Sequence, residues 1–343
     1  MSSLPTTSRE VKLKVRPTSR PMASNFEIRG GAFPVARDGE VLVRNRYSRV
    51  SASLRMMISE GAEAVEGVPF PALKPGDTLA EETLGEVIHA PANSGFSPGD
   101  LVRHFLGWRE YAAVPIADCV RIDNQLPLVV ANLAHGWTAY AALTRGVEIR
   151  PGDTVLVTSA AGAIGSMAGQ IARLLGAGRV IGSTSSDQKA ERLVKELGYN
   201  AAVIRGWATD VDQLREAAPD GIDVVLDNVG GEQLRSAIEV ARTGARFVIV
   251  GALSGQLADR GTGREAPVEL DSFQILLKKI TMRGYSADDD PDAHAEWDAR
   301  FAEWLRAGDI TFPHVVVHGI ERAPEAIQAV AEGRYFGTAI VEF

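Results

Sequence analysis

The chain has 343 residues, 45% of them apolar, and a formal net charge of −8. That length exceeds what one hydrophobic core ordinarily serves, so two domains are expected; the acidic balance excludes a nucleic-acid surface, which is built from clustered Lys and Arg. A single cysteine, Cys119, excludes an intramolecular disulfide and suits a reducing, cytoplasmic compartment, and no apolar run approaches the length of a membrane span or signal segment.

The first eight residues read as a loose end. Residues 40–44, 83–90, 100–104 and 109–114 then read as strands, punctuated by Pro75-Gly76 and Ser97-Pro98-Gly99-Asp100, without long helical periodicity. This pattern predicts a β-barrel-like domain. His104, Phe105 and Trp108 fall in a turn between strands and read as structural. A composition shift places the first domain joint near Asn124.

Residues 153–165 change the picture. An apolar, β-branched strand (154–158) runs into a small-residue turn that opens a helix (164–175), and Ala160, Gly162 and Gly165 occupy the three glycine positions of a dinucleotide fingerprint. Ala160 is small enough for the tight turn, Gly162 lets backbone approach a pyrophosphate, and Gly165 lets the helix pack close on the strand. With Ala163 and Ile164 between them, these residues present the helix N-terminus, whose unpaired N–H groups attract anions.

Strands at 179–183, 202–204, 223–227 and 246–250 follow, with helices at 187–197 and 231–242. The alternation predicts right-handed crossovers and a parallel, doubly wound α/β Rossmann sheet. A dinucleotide enzyme specific for NAD carries an acid about 20 residues after the glycines. Here the second strand ends in Gly182-Ser183-Thr184-Ser185-Ser186, which repels no phosphate, and Ser183 and Ser185 offer donors. Arg205, just after the third strand, adds a cation.

Ligands of such sheets bind at strand carboxyl ends, which selects 228–231 and 251–254. Asn228 is therefore a candidate for ribose or carboxamide contacts, Gly251 and Leu253 for the nicotinamide side, and 255–263 for a mobile covering loop. A sixth strand (280–285) ends in Tyr285. Asp288, Asp289 and Asp290 precede Pro291 and a helix to about 306, where capping and the helix dipole explain the acids; Trp297, Phe301 and Trp304 on that helix read as core. Strands at 312–318 and 337–343 return the chain to its first domain beyond a joint near Gly308. The domains are thus 1–124 completed by 309–343, and 125–308.

The order of a small barrel, a Rossmann unit carrying Ala-Ala-Gly-Ala-Ile-Gly-Ser and a C-terminal return resembles the medium-chain dehydrogenase/reductase superfamily. Within it, 136–140 (Gly-Trp-Thr-Ala-Tyr), 160–169, 186–189, 195–199 and 227–231 are similar to the zinc-independent, NADPH-dependent double-bond reductases, the group of prostaglandin, leukotriene and 2-alkenal reductases. The resemblance implies a GroES-like barrel, NADPH as cofactor and a homodimer. It also assigns Lys189 to the 2′-phosphate, while relatives carry Tyr where this chain has Arg205.

Residue chemistry supports the zinc-free branch. One cysteine supplies neither a structural four-thiolate site nor a Cys/His catalytic set. The Gly-His-Glu of zinc-dependent relatives reads Leu84-Gly85-Glu86 here. His314 and His318 lie roughly 13 Å apart along a strand, too far to share an ion.

Without a metal, reduction of a polarised double bond needs hydride at the electrophilic carbon, a donor at the carbonyl oxygen and a proton source. Candidate donors are Tyr47, Ser53, Tyr285, Tyr335, a backbone N–H, the nicotinamide ribose hydroxyl or bound water. Three departures from the family frame the substrate: Ser53 stands for its Tyr, Tyr335 for its Asn, and His135 for the Pro before Gly136. The expected activity is NADPH-dependent reduction of the C=C bond of a small conjugated carbonyl compound, an extended enone or polyene with reductive ring closure being the specific hypothesis. Quinone reduction and cofactor binding with little catalysis are the alternatives.

Overall fold

The computed structural model describes residues 5–64, 71–122, 126–206, 210–259 and 263–343. Strands β1 (Thr7–Leu13) and β2 (Phe26–Ala32) form an antiparallel pair. Strands β3 (Glu40–Val50), β4 (Thr83–His89), β5 (Leu101–His104), β6 (Tyr111–Pro115) and β7 (Val120–Arg121) follow, with the short helix α1 (Leu54–Ile58) after β3. Thr7 and Ser8 thus belong to a strand and not to a loose end: Val11 and Leu13 are fully buried against Trp108, and that burial orders the segment. The expected joint at Asn124 lies outside the described residues.

After helix α2 (Gly136–Ala141) comes the alternating half: β8 (Thr154–Val157), α3 (Gly165–Leu174), β9 (Arg179–Thr184), α4 (Asp187–Leu197), β10 (Ala201–Ile204), α5 (Asp210–Ala217), β11 (Ile222–Asp227), α6 (Gly231–Val240) and β12 (Ala241–Ile249). Helices α7 (Leu253–Gln256) and α8 (Ser272–Lys278), strand β13 (Thr281–Gly284) and helix α9 (Pro291–Ala307) complete it. The chain ends with β14 (His314–His318), α10 (Ala323–Ala331) and β15 (Thr338–Glu342).

The six-stranded sheet runs β10-β9-β8-β11-β12-β13, parallel throughout, so the strand order reverses on either side of β8 and β11. Its strands are apolar on both faces, as a sheet covered by helices on both sides requires. Val155, Val157, Val224 and Leu226 face α2 and α3, whereas Leu156, Val225 and Phe247 face α5 and α6. The second sheet runs β14-β15-β3-β4-β5-β7 with β6 also on β3, and β15 pairs antiparallel with β3. The C-terminal strands therefore enter the same sheet as the N-terminal ones. Among the described residues no helix is long and apolar enough to cross a membrane.

Helix α3 sits unusually close to the sheet. A Cβ at Gly165 would lie 2.3 Å from Ser159 O, and one at Gly169 2.1 Å from the Tyr199 ring, whose hydroxyl donates to Gly165 O at 2.7 Å. This contact aims the first turn of α3 at the carboxyl ends of β8 and β11.

Candidate active site

A cleft of about 1060 Å³ opens along the carboxyl ends of the parallel strands, closed on its other side by the end of β3, α1 and the turn before β15. At its centre is the turn from β8 into α3. Ser159 holds a left-handed backbone (φ 53°), with its N–H donating to Ser183 Oγ at 3.0 Å, and Gly162, Ala163, Ile164 and Gly165 line the cleft. A strained non-glycine residue at such a turn marks a backbone shaped for a ligand; the spacing of the glycines does not reveal it. Ala160 behaves differently from the expectation. It is fully buried and does not line the cleft, because its amide donates to Ser183 O and its methyl packs over Gly182.

At the β9 end, Ser186 caps α4 by accepting from Lys189 N at 3.4 Å, which places Lys189 in the first turn, facing the cleft. Its Nζ donates to Tyr335 O at 2.7 Å and to Gly333 O, and burial followed by the neighbouring Arg205 and Arg192 holds its pKa below the ordinary value. Such an ammonium gains most from an anion. Ser185 and Arg205 line the same end. Ser183 is a correction: its hydroxyl is engaged with Gln233 Oε1 at 2.5 Å and accepts from Ser159 N, so it braces the turn rather than offering a free donor.

Asn228, Gly251 and Leu253 line the middle of the cleft. Asn228 Nδ2 donates to Thr158 O at 2.7 Å, leaving its buried Oδ1 without a partner among the described residues. That orphaned acceptor, the open turn before α3 and the Lys189–Arg205 cations suit the amide or hydroxyl donors, pyrophosphate and 2′-phosphate of NADPH in turn. Of the segment expected to be a mobile cover, Gly255 is instead buried within α7, Gln256 and Leu257 line the cleft, and 260–262 lie outside the described residues.

The expected donors separate into two groups. Ser53, Tyr285 and Tyr335 line the cleft; Ser53 shares a 2.6 Å hydrogen bond with Ser51, and Tyr285 Oη donates to Asp290 Oδ2 at 3.3 Å. Burial and then the Asp290 charge raise the Tyr285 pKa. Tyr47 does not line the cleft. It lies directly opposite Glu342 across the β3–β15 ladder, where burial and its bond to that carboxylate raise its pKa, and its ring packs on the core. The acids before α9 are a further correction. Asp290 makes no side-chain cap bond and turns to Tyr285 and Arg145, while Asp288 lines the cleft.

Sequence reasoning missed a polar cluster at the β13 end. Arg49 is buried beneath the cleft wall, with Nη2 donating to Glu81 Oε1 at 3.1 Å and Nη1 2.8 Å from Glu82 Oε2. Burial works against its charge, and Glu82 and Glu81 restore it, leaving its pKa raised; burial pushes the Glu81 carboxyl up against the pull of Arg49. His135, Trp137 and His294 form an aromatic row beside it, with centroids 6.2 Å and 5.0 Å apart. Burial, then Arg49, holds the His135 pKa well below its ordinary value. His135 is the member that the family resemblance singles out; Arg49 sits in a polar strand end, Asn45 to Val50, that gives no sign of burial. Phe301 and Trp297 are core, and His104 is buried on Asn45, as expected.

Among the described residues no group of three His, Cys, Asp or Glu converges as a metal site. Cys119 packs against the barrel core, His318 pairs with Glu342, and His314 stacks on Phe312.

Family profiles described as "Zinc-binding dehydrogenase" and "N-terminal domain of oxidoreductase" match residues 163–306 and 9–122. YfmJ of Bacillus subtilis, named as an NADP-dependent oxidoreductase, is 32% identical, with 97% of each chain covered. Prostaglandin reductase 1 of Rattus norvegicus is 30% identical, over 94% of this chain and 95% of the relative. The crystal structure of CurA from Vibrio vulnificus in complex with NADPH superposes with a TM-score of 0.87 at 28% identity, covering 97% of this chain and 98% of that one. The chain is an NADPH-dependent oxidoreductase and belongs to the zinc-independent, NADPH-dependent double-bond reductases of the medium-chain dehydrogenase/reductase superfamily.

Proposed function

We propose that this enzyme reduces the activated C=C bond of a conjugated carbonyl compound, and that its natural acceptor is an extended enone or polyene whose reduction triggers ring closure. The observation that carries the reading is one cleft that joins Lys189 and Arg205, with Tyr335 beside Lys189, to the hydroxyls of Ser53 and Tyr285. Bound NADPH supplies hydride to the electrophilic carbon. The residues of the chain do the rest: Lys189, Ser185 and Arg205 hold the 2′-phosphate, Asn228, Gly251 and Leu253 orient the nicotinamide half, and a cleft hydroxyl donates to the oxygen where enolate charge develops. In ring closure that enolate attacks a second unsaturated carbon, and a proton from solvent completes a product two hydrogens richer than the substrate. The domain boundaries proposed are 1–124 with 309–343, and 125–308.

The test is NADPH oxidation against enones, enals, quinones and conjugated polyenes, with NADH in parallel and products weighed by mass spectrometry. NADPH is expected to be preferred, with products gaining two hydrogens. Lys189→Ala is expected to raise the KM for NADPH about tenfold while leaving NADH turnover nearly unchanged. Quinone turnover without enone saturation, or tight NADPH binding without oxidation across the panel, overturns the reading.

We also propose a homodimer through the open edge of β13. That strand ends the parallel sheet, and α8 beside it exposes Phe273, Leu276 and Leu277 at 62%, 68% and 57%. Light scattering is expected to give twice the chain mass, and Leu276→Asp to give a monomer; a monomeric parent protein sinks the proposal.

A further inference from the structure

The two ends of the cleft differ in the charge they leave free. Lys189 and Arg205 follow β9 and β10, whereas Asp288 follows β13. Four strand spacings separate β9 from β13, so the phosphate cations lie about 19 Å from the Asp288 end. A dinucleotide whose 2′-phosphate sits at the cations therefore leaves the Asp288 end to the acceptor.

At that end the carboxylates outnumber the cations. Arg49 is tied by Glu81 and Glu82, and Arg103 Nε lies 3.4 Å from Glu82 Oε1. The two imidazoles lining it, His135 and His294, are held toward their neutral forms, chiefly by burial. Asp288, by contrast, forms no salt bridge among the described residues; its carboxylate accepts from the Ser286 side chain, feels the charges of His294 and Arg49, and lines the cleft beside the Trp137–His294 wall. Arg49 adds an independent sign of an unfinished polar site: its side chain is only 9% exposed, it lines the cleft, and its Nε has no hydrogen-bond partner among the described residues. Burial and the adjacent Asp289 raise the Asp288 pKa against the pull of the Ser286 side chain, His294 and Arg49, so its charged form still gains from a further donor.

We infer that this end of the cleft is a specificity subsite for acceptors that carry a neutral hydrogen-bond donor, an amide N–H or a hydroxyl, which Asp288 accepts while the Trp137 ring packs on the adjoining apolar part. An acceptor with a carboxylate at the same place adds a like charge where Glu81, Glu82 and Asp288 already outnumber Arg49 and Arg103. The subsite rests on the enone-reductase reading and names the acceptor class within it. Charge and donor selection of this kind acts through unmet hydrogen bonds and repulsion, which discriminate more strongly than apolar shape alone.

The experiment uses three benzylideneacetones bearing a para primary amide, methyl ester or carboxylate, assayed with NADPH on the whole enzyme. The amide is expected to exceed the carboxylate in kcat/KM by about tenfold or more, with the ester between them and the difference carried by KM. In Asp288→Asn the amide loses about tenfold and the carboxylate gains, while the KM for NADPH stays unchanged; Asp292→Asn, on the exposed first turn of α9, leaves the order as it is. Equal use of amide and carboxylate overturns the inference. So does an Asp288→Asn effect equal for all three acceptors, which assigns the carboxylate to the cofactor. If none of the three is reduced, the ester included, it is the enone reading that fails.

Discussion

Gly165→Ala is expected to lose both stability and NADPH binding. The added methyl would stand 2.3 Å from Ser159 O and 2.6 Å from Ala160 Cα, and both are backbone atoms that no rotamer change can move. Relief requires α3 to lift from β8 or the turn to shift, yet Ser159 already holds a left-handed backbone and Tyr199 anchors Gly165 O from the other side. Overpacking of this kind costs about 3 kcal/mol, roughly 4 °C in melting temperature for a chain of this size. Because the same turn aims its amides at the pyrophosphate, the variant is also expected to lose the rise in melting temperature that NADPH gives the parent protein. Thermal melts with and without NADPH read both effects. Gly30→Ala, where a Cβ meets nothing within 4 Å, is the control. A Gly165→Ala protein that melts with the parent and keeps its NADPH shift would refute the account of the turn.

Arg49→Met is expected to destabilise the fold by about 4 kcal/mol at neutral pH, because it strands the buried Glu81 carboxylate. The effect must depend on pH, and its sign follows from Glu81. Burial raises the pKa of Glu81 in the folded protein above its ordinary value, even with Arg49 pulling it down. A carboxyl so raised contributes stability below its unfolded pKa and loses that contribution as pH rises through the folded one. Removing Arg49 removes the opposing pull and moves the folded pKa higher still. The deficit of the variant is therefore larger at neutral and alkaline pH and shrinks as pH falls and Glu81 takes up a proton. Denaturant midpoints as a function of pH check it, and the double variant Arg49→Met/Glu81→Gln is expected to recover most of the loss, since a neutral pair leaves no buried charge. A deficit that is flat with pH, or a double variant no better than the single, would show that packing and not charge is what Arg49 supplies.

The division between legible and hidden features follows physical range. Strands 154–158, 179–183 and 223–227 were legible because a sheet covered on both faces demands continuous apolar runs, and α4 because a capped, amphipathic stretch declares itself locally. The small-residue turn before α3 was legible for the same reason: tight turns and close helix approach restrict side-chain size at fixed spacing. From these followed the parallel sheet and the dinucleotide; the absence of an acid at 182–186 and the cation Arg205 pointed to a 2′-phosphate, and the role of Lys189 came from the family resemblance. Helices α5 and α10 and the β1–β2 pair were not seen, because their short apolar patterns acquire meaning only against the surfaces that bury them.

What the tertiary structure decided is the direction of side chains and the company they keep. The register of β3 against β15 sets Tyr47 opposite Glu342, its pairing with β4 brings Arg49 to Glu82 and Glu81, and a strand's own pattern says nothing of its neighbour's register. Asp288 was read as part of a helix cap, yet Asp290 bonds Tyr285 and Asp288 faces the cleft, because β13 and α9 meet at an angle that no local signal encodes. Arg49, Glu82, His135, Asp288 and His294 come from five segments of the chain and share no spacing. Local pattern thus determined the fold class and the dinucleotide site, the family resemblance implied NADPH, and the substrate end exists only where distant segments pack together.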